Sequence, residues 1–174
     1  MTKVLLALSM AAFSAAAAAQ PDSTPPYTAD PGPRAGDWEA TLSGSGQSSS
    51  SFDNNSLGLT GSLGYYYTKN WLFSLRQSAA TNDTGDSNLI SGRSVFQAAY
   101  QFDLGKWQPY VGMNVGAYYG AGINDEAAFG PEAGIKYYVN ESTFLYGNIA
   151  YEVPFDECCK GGIVPYSAGV GFNF

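Results

Sequence analysis

The side chains here with the types needed for chemistry are a scattered set of acids and bases and one pair of adjacent cysteines; there is no His anywhere in the chain. That absence removes the commonest general base and metal ligand together. Glu152 and Asp156 come nearest to a paired-carboxylate arrangement of the kind that works on glycosidic bonds. No nucleophile–base pair accompanies them, so they read as solvated acids beside a loop, and no catalysis is expected. Cys158 and Cys159 lie in Asp156-Glu157-Cys158-Cys159-Lys160 and are the chain's only cysteines. In an oxidising compartment free thiols do not persist, which favours a strained disulfide between the two neighbours. A disulfide between two molecules stays open. A metal site formed with Asp156 and Glu157 is disfavoured, because adjacent ligands rarely reach tetrahedral geometry. No metal or cofactor is expected.

The remaining charges need the elements that carry them. At 174 residues the chain is the size of one domain. Only 13% of it is charged, yet 15% is aromatic, which favours a folded object over a disordered one. A formal net charge of −7 argues against nucleic acid, whose binding needs a basic face.

Met1 to Ala19 has the three parts of a secretory signal: Lys3, an apolar stretch from Val4 to Phe13, and Ala17-Ala18-Ala19 as the cleavage pattern. Residues 20–36 form an extended, poorly ordered N-terminal segment, because Pro21, Pro25, Pro26, Pro31 and Pro33 can neither donate to a ladder nor continue a helix. No later run approaches the roughly 20 apolar residues of a spanning helix.

From Asp37 onward the apolar residues fall at every second place, the period of a β-strand with two unlike faces. Trp38, Ala40 and Leu42 begin the pattern. Val164, Tyr166, Ala168, Val170, Phe172 and Phe174 end it, separated by Pro165, Ser167, Gly169, Gly171 and Asn173. Eight such strands can be counted. Three connections are tight (Thr68-Lys69-Asn70, Leu104-Gly105-Lys106 and Asn140-Glu141-Ser142), with residues suited to hairpin turns. The other four, 45–55, 81–88, 120–126 and 154–162, are longer and polar. With the strands laid up and down, Trp38, Tyr65, Tyr67, Trp71, Tyr100, Phe102, Trp107, Tyr137, Phe172 and Phe174 gather beside the tight turns. Tyr119, Phe129, Tyr151 and Tyr166 gather at the other end. Two aromatic belts separated by aliphatic residues match the two lipid–water boundaries of a membrane.

On these residues the chain resembles the small eight-stranded outer-membrane β-barrels of the OmpA, OmpX and OmpW kind, over about Asp37 to Phe174. The pieces are Tyr-Thr-Lys-Asn-Trp at 67–71, Gln108-Pro109-Tyr110-Val111-Gly112, Ala133-Gly134-Ile135-Lys136-Tyr137-Tyr138 and the terminal Phe. The resemblance implies an all-β fold, an eight-stranded antiparallel up-and-down transmembrane barrel filling 37–174, with short periplasmic turns, longer extracellular loops and both termini periplasmic. It also implies that Phe172 and Phe174 act as an assembly signal for the barrel-assembly machinery. The surroundings it implies are outer-membrane lipid and lipopolysaccharide. No further periplasmic domain is expected after the barrel.

The barrel arrangement turns Glu39, Arg76, Arg93, Asp103, Glu132, Lys136 and Glu152 inward. Acids and bases nearly balance there, and confined charges are costly unless paired, so a network that fills and fastens the barrel is expected. Tyr66, Tyr110, Tyr118, Tyr138 and Tyr146 also point inward and would obstruct an eight-stranded lumen. The expected role is therefore structural, or one of interaction through the loops, whose ligand the residues do not name. The alternatives are a narrow channel or OmpW-like transporter for small solutes, and a soluble ligand-binding barrel with its aliphatic face inward. Pro131, inside the sixth strand, predicts a bulge or a later strand start.

Overall fold

The computed structural model describes residues 31–49, 55–83, 88–120, 126–155 and 162–174. The expected signal at 1–19, most of the proline-rich segment, and Cys158 and Cys159 lie outside the described residues. The strands are β1 (Trp38–Ser49), β2 (Asn55–Tyr66), β3 (Trp71–Asp83), β4 (Asn88–Gln101), β5 (Trp107–Gly120), β6 (Glu126–Tyr138), β7 (Thr143–Ala150, resuming at Val153–Pro154) and β8 (Ile163–Asn173). Each pairs antiparallel with the next, and β8 returns to β1. Trp38 and Phe174 exchange both backbone bonds, at 2.8 and 2.9 Å. The eight strands thus close into a barrel with no free edge.

The stagger follows from the register. From Glu39 the paired residues run through Gly64, Ser74, Gln97, Asn114 and Gly130. The path continues to the facing Glu152, then Ile163, and re-enters β1 at Ser49, ten residues above its start. Such a shear tilts the strands by about 40° to the barrel axis.

No bulge forms at Pro131, and β6 starts before it. Glu132 faces Ala150 and Phe129 faces Val153, so one register holds on both sides of the proline. What is lost is hydrogen bonding. Tyr151 donates to the Pro131 carbonyl at 3.0 Å, but Pro131 has no N–H to return. On the other flank Glu152 and Ile163 exchange both bonds, and the next such position sets Pro165 opposite Ala150, again without a donor. Prolines on both neighbours account for the interruption of β7 at Tyr151 and Glu152.

The tight turns are closed by their own side chains. Thr68 Oγ1 accepts from the Asn70 and Trp71 amides, and Asn140 Oδ1 from those of Ser142 and Thr143. Gly105 takes φ +72°, the left-handed conformation its turn requires. The long connections are shorter than the composition indicates. Backbone pairing continues through Ser45, Gly46 and Gln47 and as far as Asp83, since a ladder needs no apolar side chains.

Leu42, Leu59, Leu75, Val111, Met113, Leu145 and Ile149 face outward, while Glu39, Arg76, Gln97, Glu132, Lys136 and Glu152 are buried inside. This inverts a soluble protein and excludes a soluble barrel with its aliphatic face around a ligand. A solvent of hydrocarbon outside accounts for it.

Candidate functional site

Alternation sends every second side chain into the lumen, which in an eight-stranded barrel is just wide enough for side chains to fill, and three ion pairs occupy it at three heights. Each pair joins strands three apart around the barrel and so crosses the lumen.

Nearest the tight turns, Lys136 of β6 reaches Glu39 of β1, with Nζ 2.5 Å from Oε2. Tyr66 donates to the same oxygen at 2.6 Å and accepts from Lys136 at 2.8 Å. The ammonium also lies 4.9 Å from the Phe144 ring centroid and 5.4 Å from that of Tyr66. Tyr66, Tyr138 and Phe144 are wholly buried and form the floor, with Asn173 donating to the Tyr138 hydroxyl at 2.7 Å. Glycine makes room for these rings: at Gly171 a Cβ would stand 2.2 Å from the Phe144 ring.

Halfway up, Arg76 of β3 grips Glu132 of β6 with two bonds of 2.9 and 3.1 Å. The same carboxylate accepts from Gln97 (2.9 Å), Asn148 (2.6 Å), Asn114 (3.2 Å) and Tyr110 (3.3 Å). Donors from β3, β4, β5 and β7 thus converge on one acid. At the loop end Arg93 of β4 pairs with Glu152 of β7, and the Tyr118 hydroxyl donates to the other Glu152 oxygen.

Six of the seven charges expected inside are therefore placed in three pairs. The seventh, Asp103, is a correction: it is exposed in the turn after β4 and pairs with Lys69 of the neighbouring turn at 3.3 Å. β4 ends at Gln101, so the alternation that would have turned Asp103 inward has already stopped. Phe172 and Phe174 point outward, in the belt beside the tight turns. That belt is knitted by the contacts Trp38–Tyr65, Trp71–Tyr100 and Trp107–Tyr137, with centroids 5.3, 5.4 and 4.6 Å apart. At the other end Phe129 meets Phe155 at 4.8 Å. Phe155 stands outside the belt that the residues alone predict, because Pro154 reads as the start of a loop. Gln77 and Ser94 weaken the apolar face but are satisfied. They bond to each other at 2.7 Å and both bond to the Tyr119 hydroxyl, whose ring lies over Gly92.

The described part of the proline-rich segment, residues 31–36, lies across the tight-turn mouth. Gln108 of β5 donates to the Pro31 carbonyl at 3.1 Å, and Gly36 donates to Tyr66 of β2 at 2.8 Å. Among the described residues no group of three acidic or Cys side chains can hold a metal.

The model of the outer membrane protein beta-barrel domain matches residues 5–174. No curated protein matches the sequence. Solved structures that share the fold include the following three. Neisserial surface protein A (NspA) is 19% identical at a TM-score of 0.60, with 79% of this chain and 96% of that one covered. The N-terminal barrel of Pseudomonas aeruginosa OprF is 22% identical at 0.57, with 78% and 97% covered. OprG of the same organism is 15% identical at 0.57, with 82% and 98% covered.

Proposed function

The chain belongs to the outer membrane protein beta-barrel domain family, and on that premise we propose that it is a non-conducting anchor that holds its four long connections at the cell surface for structure or interaction. The observation that carries this reading is the stack of three cross-lumen ion pairs standing on the Tyr66–Tyr138–Phe144 floor. Both ends of the barrel chain meet at the tight-turn end, which the reading places in the periplasm. Residues 1–19 direct export, and the β8 edge with Phe172 and Phe174 is read by the assembly machinery before closure. The two aromatic belts rest against lipid, with lipopolysaccharide outermost. No catalysis belongs to this reading. The test is reconstitution in planar bilayers: no steady current is expected, and unitary currents would overturn the proposal.

One observation favours a gated channel as the second reading. Small cavities lie above and below Arg76, so swinging that one side chain would join them. On that reading Arg76→Ala and Glu132→Ala raise conductance from a measurable basal level; on the first, the basal level is absent.

A further inference from the structure

A line of weakness crosses the barrel wall in its last hairpin. Between β6 and β7 the bonded positions include Pro131 with Tyr151 and Ala127 with Phe155; between β7 and β8 they include Glu152 with Ile163 and, in the same register, Ala150 with Pro165. The residues placed to donate to the carbonyls of Tyr151 and Ala150 are therefore Pro131 and Pro165, and neither has an N–H. Two successive carbonyls of β7 go without their ladder bonds, one toward each neighbour. On the tight-turn side of this line the strand is paired with both neighbours from Phe144 to Ile149.

On the loop side stands a small tip, Tyr151 to Phe155 facing Gly162 to Val164. Glu152 and Ile163 hold it together with bonds of 2.9 and 2.8 Å. It rests on β6 through the Phe155 amide, which donates to Ala127 at 2.9 Å, and through the Phe155 ring against Phe129. The seat is a glycine, since a Cβ at Gly130 would run into the Tyr151 carbonyl oxygen. Inside the lumen the tip carries one charge. Glu152 is buried and pairs with Arg93 of β4, while Tyr118 of β5 donates to its other oxygen. Among the described residues no other side chain of the tip bonds across the lumen.

We infer that Tyr151–Phe155 and Gly162–Val164 form a hinged tip that opens as one unit. The proline line is its hinge, and Glu152, held by Arg93 and Tyr118, is its latch. A wall that lacks two backbone bonds along one line separates there first, whereas charged hydrogen bonds inside hold the tip shut. Opening withdraws Glu152 from Arg93 and uncovers the loop end of the lumen beside Ala150 and Pro165. Tyr151 and Phe155 are exposed in the loop-end aromatic belt, so the released carboxylate meets the polar boundary and not hydrocarbon. The Tyr66–Tyr138–Phe144 floor takes no part, and the device is the same whether or not the lumen conducts.

The test is amide hydrogen exchange by NMR on the folded barrel in detergent micelles. The probes are the bonded amides of Tyr151, Glu152, Phe155 and Ile163, with Gly147, Asn148, Ser167 and Gly169 of the same strands as the reference. The tip amides should share one opening equilibrium, exchange about tenfold faster than the reference, and respond little to low urea, as a local opening does. Pro131→Ala and Pro165→Ala each return one donor to the line and should slow the tip amides several-fold relative to the reference. Glu152→Gln should speed them several-fold, and so should Tyr118→Phe, which removes a bond to Glu152 without removing a charge. Protection equal to the reference, or a gradient of rates falling off residue by residue from the strand ends, would overturn the inference. So would tip amides that ignore both proline variants, or that ignore both latch variants.

Discussion

Replacing Glu132 by Gln keeps the shape of the side chain and one of its oxygens but removes the charge that Arg76 faces. Glu132 is almost inaccessible to solvent and Arg76 nearly so, and the guanidinium would be left with neutral acceptors alone, the Gln97 oxygen at 3.2 Å and the one oxygen that the new amide retains. Breaking a buried pair from one side costs about 4 kcal/mol, most of it the penalty of the stranded charge. The reverse change, Arg76→Met, strands less. Glu132 would keep Gln97, Asn114, Asn148 and Tyr110 as donors, so its loss is that of charged hydrogen bonds alone, about 2 kcal/mol. Combining the two removes both charges, and the double variant should lose about 2 kcal/mol rather than the sum, an interaction energy large enough to read from a double-mutant cycle. The assay is urea unfolding in lipid vesicles followed by tryptophan fluorescence, with the slope checked to be unchanged. Equal single losses, a greater loss for Arg76→Met, or simple additivity would refute the picture of Glu132 as the acid on which four strands converge.

Asp103→Asn should move stability by no more than about 0.5 kcal/mol in the same assay, because its pair with Lys69 is exposed and screened; a loss rivalling that of Glu132→Gln would put Asp103 back among the interior charges. Gly171→Ala should destabilise by about 2 kcal/mol through overlap with the Phe144 ring, and Phe144→Leu in the same molecule should recover part of that loss; the check is non-additivity of the unfolding midpoints. Deleting Phe174 should lower the yield of barrel inserted in cells far more than it lowers the stability of barrels refolded from urea, with gel mobility of unboiled samples as the readout; normal insertion would contradict a role in assembly.

The strand count, the two faces and the sidedness of the connections are legible in the residues because they are local. Period-two alternation, a turn side chain that caps its own backbone, and an aromatic at a strand end each act within a few positions. Leu57 to Tyr67 and Val164 to Phe174 state their faces without help from any partner. Limits set by backbone pairing were less legible. β1 runs on through Ser45 to Ser49, and β7 reaches Pro154, because ladder bonds ignore side-chain polarity. Pro131 predicts a bulge in β6 or a later start of that strand, and neither forms. The break appears in β7 instead, since the missing donor is felt by the neighbour, and only the coincidence with Pro165 across the strand makes it visible.

By itself, then, the sequence determined that this chain is a barrel with an apolar outside, a charged inside and two aromatic rims. Which charge meets which was decided only by the tertiary structure. The three interior pairs join residues 56, 59 and 97 positions apart, and closing the ring with a shear of ten residues is what brings them to the same height. The same stagger leaves Ser45, Ser78 and Ser167 around one space beside Arg93. Alternation tells each side chain which way to face. The height at which it faces another depends on the tilt of all eight strands together, and no single stretch of chain contains that quantity.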